Sequence, residues 1–375
     1  MLTNNKNNKI VVLGLSGGVD SAVSCYLLLK QGYQVIPVFM QNWDTVVNND
    51  IKGHNKNLPS GCESNIDFLV AKKIAAFFHL KIHKINFIQQ YWNKVFKYFI
   101  KQYNKSLTPN PDVLCNKYIK FGEFKNYAIK KFKADYIATG HYAKIIKNKN
   151  NLFLSIPKDI NKDQTYFLSD LKEEQLKNVI FPLADLTKIE VRKIAKKIKL
   201  PNWDRKDSTG ICFIGQRDFR LFLNNYIPNK PGFIYEIETN KIIGKHIGTM
   251  YYTLGQNKGL NLSGKKCKYH VCKKNVKKNI IYVCNAQNFK KYLYSTKAEL
   301  SSFNFINKTM KKNWKNLQVR FRHLQKKINL ISLELINKKW FITYKPSLAV
   351  TPGQYAVIYK HNICLGCGEI KKLIK

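Results

Sequence analysis

The stretch KIVVLGLSGGVDSAVSCYLLLKQG, Lys9 to Gly32, constrains the fold more than any other part of the chain. KIVVLGL is an apolar, β-branched run that reads as a buried strand. DSAVSCYLLLKQG reads as a helix with Ala22, Val23, Tyr26 and Leu27 on one face and Gly32 as its stop. Between them, Gly17 and Gly18 let the backbone bend and approach an anion closely. Backbone N–H groups, the Ser16 and Ser21 hydroxyls and the positive end of a helix starting near Asp20 can all face a phosphate there. There is no Gly-Lys-Ser/Thr ending, which excludes a Walker loop, and no G-x-G-x-x-G, which excludes the dinucleotide fingerprint. What remains is a phosphate loop of another kind, or a glycine-rich turn that binds nothing.

The alternation continues to about residue 140. QVIPVFM, KIHKINF and ADYIAT read as strands. SNIDFLVAKKIAAFF reads as a helix with Ile66, Leu69, Val70, Ile74 and Phe77 on one face and Ser64 as N-cap. Strand–helix alternation predicts an α/β fold, a doubly wound parallel sheet covered on both faces, with ligands beyond the carboxyl ends of its strands. After about residue 215 the pattern shifts to short strands broken by Gly and Pro, and residues 288–375 read as all-β. The predicted units are a catalytic domain over 1–217, a small central domain over 218–287 and a C-terminal barrel-like β domain over 288–375.

A net charge of +42, from 65 Lys+Arg against 23 Asp+Glu, permits a polyanionic partner such as nucleic acid. A chain rich in Lys, Asn and Ile can also acquire such a balance from base composition alone. No apolar run is long enough to span a membrane and no export signal is evident, so the expected compartment is the cytoplasm, with no membrane partner. The nine cysteines are then reduced thiols. Two stand out. Cys115, in TPNPDVLCNKYIKF, follows Pro109, Pro111 and Asp112 and lies near the start of a predicted helix, a position that lowers a thiol's pKa. Cys212 lies in KDSTGICFIG. Two thiols beside a nucleotide site suggest sulfur chemistry.

GLSGGVDS resembles the pyrophosphate loop of the N-type ATP pyrophosphatases. GLSGGVDS, FMQNWD, TPNPDVLCNKYIKF, DYIATGHYAK, KDQTYFL, KDSTGICFIG and VTPGQYAVIY stand in the order found in tRNA-specific 2-thiouridylases, a resemblance that covers about residues 9 to 370. It implies an enzyme that activates the C2 oxygen of the anticodon wobble uridine with ATP and replaces it with sulfur, giving AMP and pyrophosphate. By that resemblance Gly14, Leu15, Ser16, Gly17, Gly18, Val19, Asp20 and Ser21 would hold ATP, Met40 and Gly140 would bound the adenosine, and Asp20 would bind Mg²⁺. Asn110, Pro111 and Asp112 would meet the target base. Cys115 would be the nucleophile, Cys212 the persulfide carrier and Asp112 a proton shuttle. His141, Lys162, Asp163, Gln164, Arg320, Phe321 and Gln354 would contact tRNA. A sulfur-donor protein, a cysteine desulfurase or a relay protein, is implied as partner.

Some positions depart from the family's pattern. Cys367, where the family usually has glycine, makes a C-x-x-C with Cys364, and Cys267 and Cys272 form a C-x4-C near Cys284. These thiols read as incidental rather than as a zinc site, since they fall in different predicted units. Cys25 reads as a helix-face residue and Cys62 as a loop residue. Asn257 stands where the family usually has a basic residue, with Lys258 beside it, and His79 and His83 read as ordinary histidines. Two rivals remain: an adenylate-forming amidotransferase of the same superfamily, which needs neither Cys115 nor Cys212, and a non-catalytic RNA-binding protein, which needs no intact SGGVDS.

Overall fold

The computed structural model describes residues 7–53, 63–207, 210–212, 214–215, 217–262, 267–307 and 316–374. Cys62, Ser208 and Thr209 lie outside them. The strands β1 to β7 are Asn7–Gly14, Tyr33–Gln41, His83–Asn86, Tyr136–Ala138, Lys144–Asn148, Asn151–Ser155 and Val179–Ile180. Five of them form a parallel sheet in the order β3-β2-β1-β4-β7. The helices α1 (Val19–Lys30), α2 (Glu63–Phe77) and α3 (Lys188–Lys197) cover one face. On β1, Val11 and Leu13 point to that face and pack with Val35, Phe39, Val23 and Ala71. Val12 points to the other, with Val38, Met40 and Ile137, against a helical layer that includes Tyr91, Phe96, Ile119 and Phe124. A sheet covered on both faces needs an unbroken apolar strand, which is why KIVVLGL carries no polar alternation.

The predicted helix faces are rotated by about one residue. In α1 the buried side chains include Ala22, Val23, Cys25 and Leu28, while Tyr26 and Leu27 are only partly covered. In α2 the buried ones are Ala71, Ile74 and Ala75, and Leu69 and Phe77 are exposed. Small residues at 71 and 75 let α2 sit close to the sheet, so the larger neighbours turn outward. The helix begins at Glu63, which puts Ser64 in its first turn rather than at the cap.

The next four strands, β8 (Gly232–Glu236), β9 (Ile242–His246), β10 (Tyr269–Asn275) and β11 (Ile280–Asn285), form a central sheet in the order β10-β11-β8-β9. The chain then adds β12 (Tyr294–Leu300), β13 (Asn304–Phe305), β14 (Leu317–Arg320), β15 (Ile328–Ile336), β16 (Lys339–Leu348), β17 (Tyr355–Lys360) and β18 (Ile363–Ile374). Six of these pair antiparallel in the circuit β12-β16-β15-β14-β17-β18 and back to β12, a closed barrel. Its interior is filled by Leu300, Val319, Phe321, Ile342, Tyr344 and Ile358. The β5–β6 hairpin, early in the sequence, extends this last sheet through Ile363↔Ser155 and Cys364↔Leu154.

Cys25 is buried in α1, Cys272 and Cys284 are buried on the central sheet, and Cys364 and Cys367 are buried on β18. Among the described residues no cluster of three or more His, Cys, Asp or Glu is arranged to hold a metal. Phe321 is fully enclosed and packs, tilted, with its ring centroid 4.6 Å from that of Tyr344. Phe321→Ala is expected to cost about 3–5 kcal/mol by leaving a cavity, seen as an earlier chemical-denaturation midpoint. An unchanged midpoint would contradict the barrel interior described here.

Candidate active site

The segment 106–115 owes its shape to contacts from both later units. The Ser106 and Thr249 hydroxyls meet at 2.7 Å, and those of Thr108 and Thr253 at 3.2 Å. From the barrel side, Pro352 O accepts from Thr108 N at 3.0 Å and Gln354 Nε2 donates to Thr108 O at 2.8 Å. Gly353 has φ +93°, and a Cβ there would meet Thr108 N at 2.9 Å, so only glycine permits this approach. Asn110 then caps a helix, its Oδ1 accepting from Asp112 N at 3.2 Å, with Pro111 in the first turn. Helical winding continues through Pro111–Leu114, a π-wound stretch Cys115–Phe124, and Lys125–Phe132.

This capped start carries Asp112 inward, where Oδ1 accepts from Cys212 N at 3.1 Å. Tyr91 donates its hydroxyl to Cys212 O at 3.1 Å. Cys212 is thus gripped through its own peptide groups, and Cys115 Sγ lies 3.9 Å from Cys212 Sγ. The two residues are 97 apart in sequence. Both thiols are free.

The electrostatics correct the expectation for Cys115. Burial pushes its thiol well up, and its hydrogen bond to Cys212 adds to the rise. Complete enclosure outweighs any benefit from the helix start. Cys212 moves the other way: the Cys115 proton shared with it lowers its pKa, burial opposes, and Lys120 lowers it further. Burial raises the Asp112 carboxyl, against the pull of the Cys212 N–H and Lys120. Lys120 Nζ also lies 3.3 Å from His141 Nε2, and burial, with Lys120 adding, holds His141 well below the usual histidine range.

The glycine-rich loop lies immediately behind. Gly18 caps α1 without a side-chain hydrogen bond, leaving the helix's positive end open to a ligand. Ser16 Oγ and Ser21 Oγ are 3.2 Å apart. Gly17 has φ +82°, and a Cβ there would meet Asp67 O at 2.6 Å. A Cβ on Gly140 would meet Ser21 N at 2.9 Å, so the end of β4 presses on the start of α1. Gly140 touches the loop and the next residue, His141, touches Lys120, which joins the two halves of the site.

Asp20 Oδ1 accepts from Lys188 Nζ at 2.6 Å and Tyr142 OH at 3.0 Å. Lys188, Lys162 and Arg192 also converge on Asp207, at 2.8, 2.8 and 2.7 Å. Burial favours the neutral acid at Asp207, but Lys162 and Lys188 outweigh it and hold its carboxyl below the usual range. A small cleft opens at the carboxyl ends of β1 and β2, lined by Leu15, Ser16, Phe39, Met40, Asn42, Ser64 and Asp67. Asn42 is buried, and among the described residues its Oδ1 has no hydrogen-bond partner. A buried acceptor without a donor beside a cleft is chemistry that a ligand N–H would satisfy.

Met40 lies in that cleft wall, whereas Gly140 lies against Asp20 and Ser21. Asn110 and Gln354 adjoin at 3.5 Å. Lys162 is partly exposed, and Gln164 Oε1 accepts from Tyr142 N at 2.9 Å. The side chains of Asp163, Arg320 and Phe321 face inward. Arg320 is ion-paired to the fully buried Asp163 and stacks over Tyr359. Lys120, Tyr91, Asn42, Lys188 and Asp207 were not singled out in the sequence. Lys120 stands five residues after Cys115, the spacing of a π turn, which sequence periodicity read as α does not reveal.

Three family models match the chain: a tRNA methyl transferase HUP domain over residues 8–216, a tRNA methyl transferase PRC-barrel domain over 220–285 and an aminomethyltransferase beta-barrel domain over 295–370. The chain is 51% identical to the tRNA-specific 2-thiouridylase MnmA of Mycoplasma capricolum, covering 97% of this chain and 99% of that one. It is 50% identical to the protein of the same name from Malacoplasma penetrans, over 97% and 98% of the two chains. Among solved structures, the NMN synthetase of Francisella tularensis is 16% identical, covering 54% of this chain and 67% of that one, with a TM-score of 0.32. That likeness is too slight to bear on function.

A disulfide needs sulfurs about 2.05 Å apart, so the 3.9 Å pair requires only a small closing movement. Mild oxidation with diamide is expected to give a Cys115–Cys212 disulfide, read by peptide mass spectrometry. Oxidised protein lacking that cross-link would contradict the geometry.

Proposed function

The chain belongs to the tRNA-specific 2-thiouridylases, and on that footing we propose that it replaces the C2 oxygen of a tRNA anticodon wobble uridine with sulfur, using ATP. The observation that carries this reading is the meeting of Cys115 and Cys212 at 3.9 Å beside Asp112, with the glycine-rich loop one residue contact away. In this reading ATP lies with its base in the cleft by Met40 and its phosphates against Ser16 to Ser21. The residues present suit a nucleotide: an uncapped helix start, two loop hydroxyls and an unmatched Asn42 acceptor. They also suit Mg²⁺, which takes one or two carboxylates plus substrate phosphates. Asp20, with Asp207 across Lys188, supplies them, and the ion would neutralise phosphate charge.

The reaction proceeds in balanced steps. The uridine C2 oxygen attacks the α-phosphate of ATP, pyrophosphate leaves, and the oxygen becomes part of a good leaving group, AMP. Cys212, loaded as a persulfide by a sulfur-donor protein, attacks C2 through its outer sulfur, and AMP departs. Cys115 then attacks Cys212 Sγ. The S–S bond to the transferred sulfur breaks, sulfur stays on the base, and a Cys115–Cys212 disulfide remains for an external thiol to reduce. Release of the sulfur as free sulfide before it attacks C2 ends in the same disulfide. Asp112, whose carboxyl burial raises toward neutrality, is suited to move a proton.

Because Cys115 is enclosed and Cys212 only partly exposed, the target base must leave its stack to reach them. Asn110 to Asp112 would line its path, and Lys162, Gln164, His141 and Gln354 would hold the RNA around it. Asp163, Arg320 and Phe321 would act indirectly, by fixing that surface. The proposal assigns catalysis to 1–217 and RNA gripping to 218–287 and 288–375, and sets the work in the cytoplasm. Among the described residues no helix is long and apolar enough to cross a membrane.

Purified protein with ATP–Mg²⁺, sulfide and unmodified tRNA is expected to yield RNA retarded on a mercury-containing gel. With a persulfide donor in place of sulfide, Cys115→Ser should abolish the retardation. Cys212→Ser should lose it with a persulfide donor, and any activity it keeps with free sulfide assigns Cys212 to sulfur delivery. ATP cleavage without thiolated RNA would sink this reading and favour amide-forming chemistry.

A further inference from the structure

The glycine-rich loop from Ser16 to Ser21 contains no lysine or arginine. An anion seated there is met by backbone N–H groups, the two hydroxyls and the start of α1, so the orientation of each loop peptide decides how well it binds. Glycine at 17 and 18 leaves that orientation free. Contacts from outside the loop fix it. Gly17 O accepts from Asn202 Nδ2 at 2.9 Å and from Arg205 Nη1 at 3.1 Å. A trans peptide is planar, and its C=O and N–H point opposite ways. Two donors behind the Gly17 oxygen therefore turn the next N–H, that of Gly18, to the other side. There it lies 3.4 Å from Ser16 Oγ, and Ser16 lines the cleft.

We propose that Asn202 and Arg205 are positioning residues of the phosphate site, which hold the Gly17–Gly18 peptide with its N–H toward the ligand. This rests on the reading of the loop as the seat of the ATP phosphates. The two side chains reach one oxygen because they stand at the ends of a single turn, closed by Arg205 N donating to Asn202 O at 3.0 Å. Arg192 of α3 holds that turn in place, donating to Trp203 O at 3.1 Å and to Arg205 O at 2.5 Å. Arg205 Nη2 also pairs with Asp67 of α2, in the cleft wall, so one guanidinium ties the loop to that wall. Asn202 is buried, and among the described residues its Oδ1 has no hydrogen-bond partner. A buried amide with one half unmatched is costly, and the half that is matched holds the loop. Asn202 carries no charge, so it acts on the anion through the peptide's orientation and not by attraction.

The test is isothermal titration of the reduced full-length protein with magnesium pyrophosphate, and separately with adenosine as a phosphate-free probe. Asn202→Leu removes the Nδ2 donor at similar volume and changes no charge. It is expected to weaken pyrophosphate binding about fivefold, as loss of one hydrogen bond would, and to leave adenosine binding unchanged. Arg205→Met should weaken pyrophosphate binding too, and the double variant more than either alone. If Asn202→Leu does not fold by circular dichroism, Asn202→Ala takes its place. Unaltered pyrophosphate binding in a folded Asn202 variant, or an equal loss with adenosine, would overturn the proposal. Native protein that binds no pyrophosphate would sink the reading of the loop and the proposal with it. Native binding that the variants keep would leave the loop standing and remove these two residues from it.

Discussion

The hydrogen bond from Cys212 N to the Asp112 carboxylate is the contact on which the site turns. It joins two segments that share no element and lie 100 residues apart. Asn110 fixes where the helix starts, the helix start fixes Asp112, and Asp112 fixes Cys212. The same helix carries Cys115 to its place one turn on. Because the 106–115 segment is itself held by Thr249, Thr253 and Gln354, the sulfur pair inherits its position from all three parts of the chain. This explains why the motif is so dense in residues with fixed geometry. Each proline or capping amide removes a freedom that would otherwise blur the distance between two sulfurs.

Charge is distributed with the same economy. The chain is strongly basic, yet around the glycine-rich loop the cations are paired: Lys188 with Asp20 and Asp207, Lys162 and Arg192 with Asp207, Arg205 with Asp67. The cations there are thus held in place by carboxylate partners. Deeper in, Arg320 and Asp163 form a pair shut off from water. Removing one member of such a pair typically costs about 3–5 kcal/mol. The pair thus locks the barrel onto the segment that carries Lys162 and Gln164.

The sequence made the parallel sheet legible because both its faces are buried and its strands are unbroken apolar runs. The glycine-rich turn was legible because glycine pairs between a strand and a helix have few other uses. What stayed hidden has physical causes. The covering helices were read one residue out of phase, since small side chains at Ala71 and Ala75 set the distance of approach while the larger Leu69 and Phe77 dominate a hydrophobicity pattern. Lys120 was invisible because its partnership with Cys115 depends on a local change in helical pitch. The lowered thiol expected at Cys115 belongs to Cys212, because position along a helix is readable in a sequence and enclosure is not. Arg320 and Asp163 look like surface charges until the barrel closes over them.

The β5–β6 hairpin has a consequence for how the chain can be divided. It supplies a pairing partner for the first residues of β18, which on their other side bond to β17. Cut away at its own beginning, the C-terminal barrel would carry there a strand with unmatched N–H and C=O groups, an open edge onto which another copy could add. The barrel is therefore not a free-standing module appended to an enzyme. Its sheet is finished by residues made two hundred positions earlier, so a nascent chain holds its hairpin in reserve until the last strand emerges to meet it.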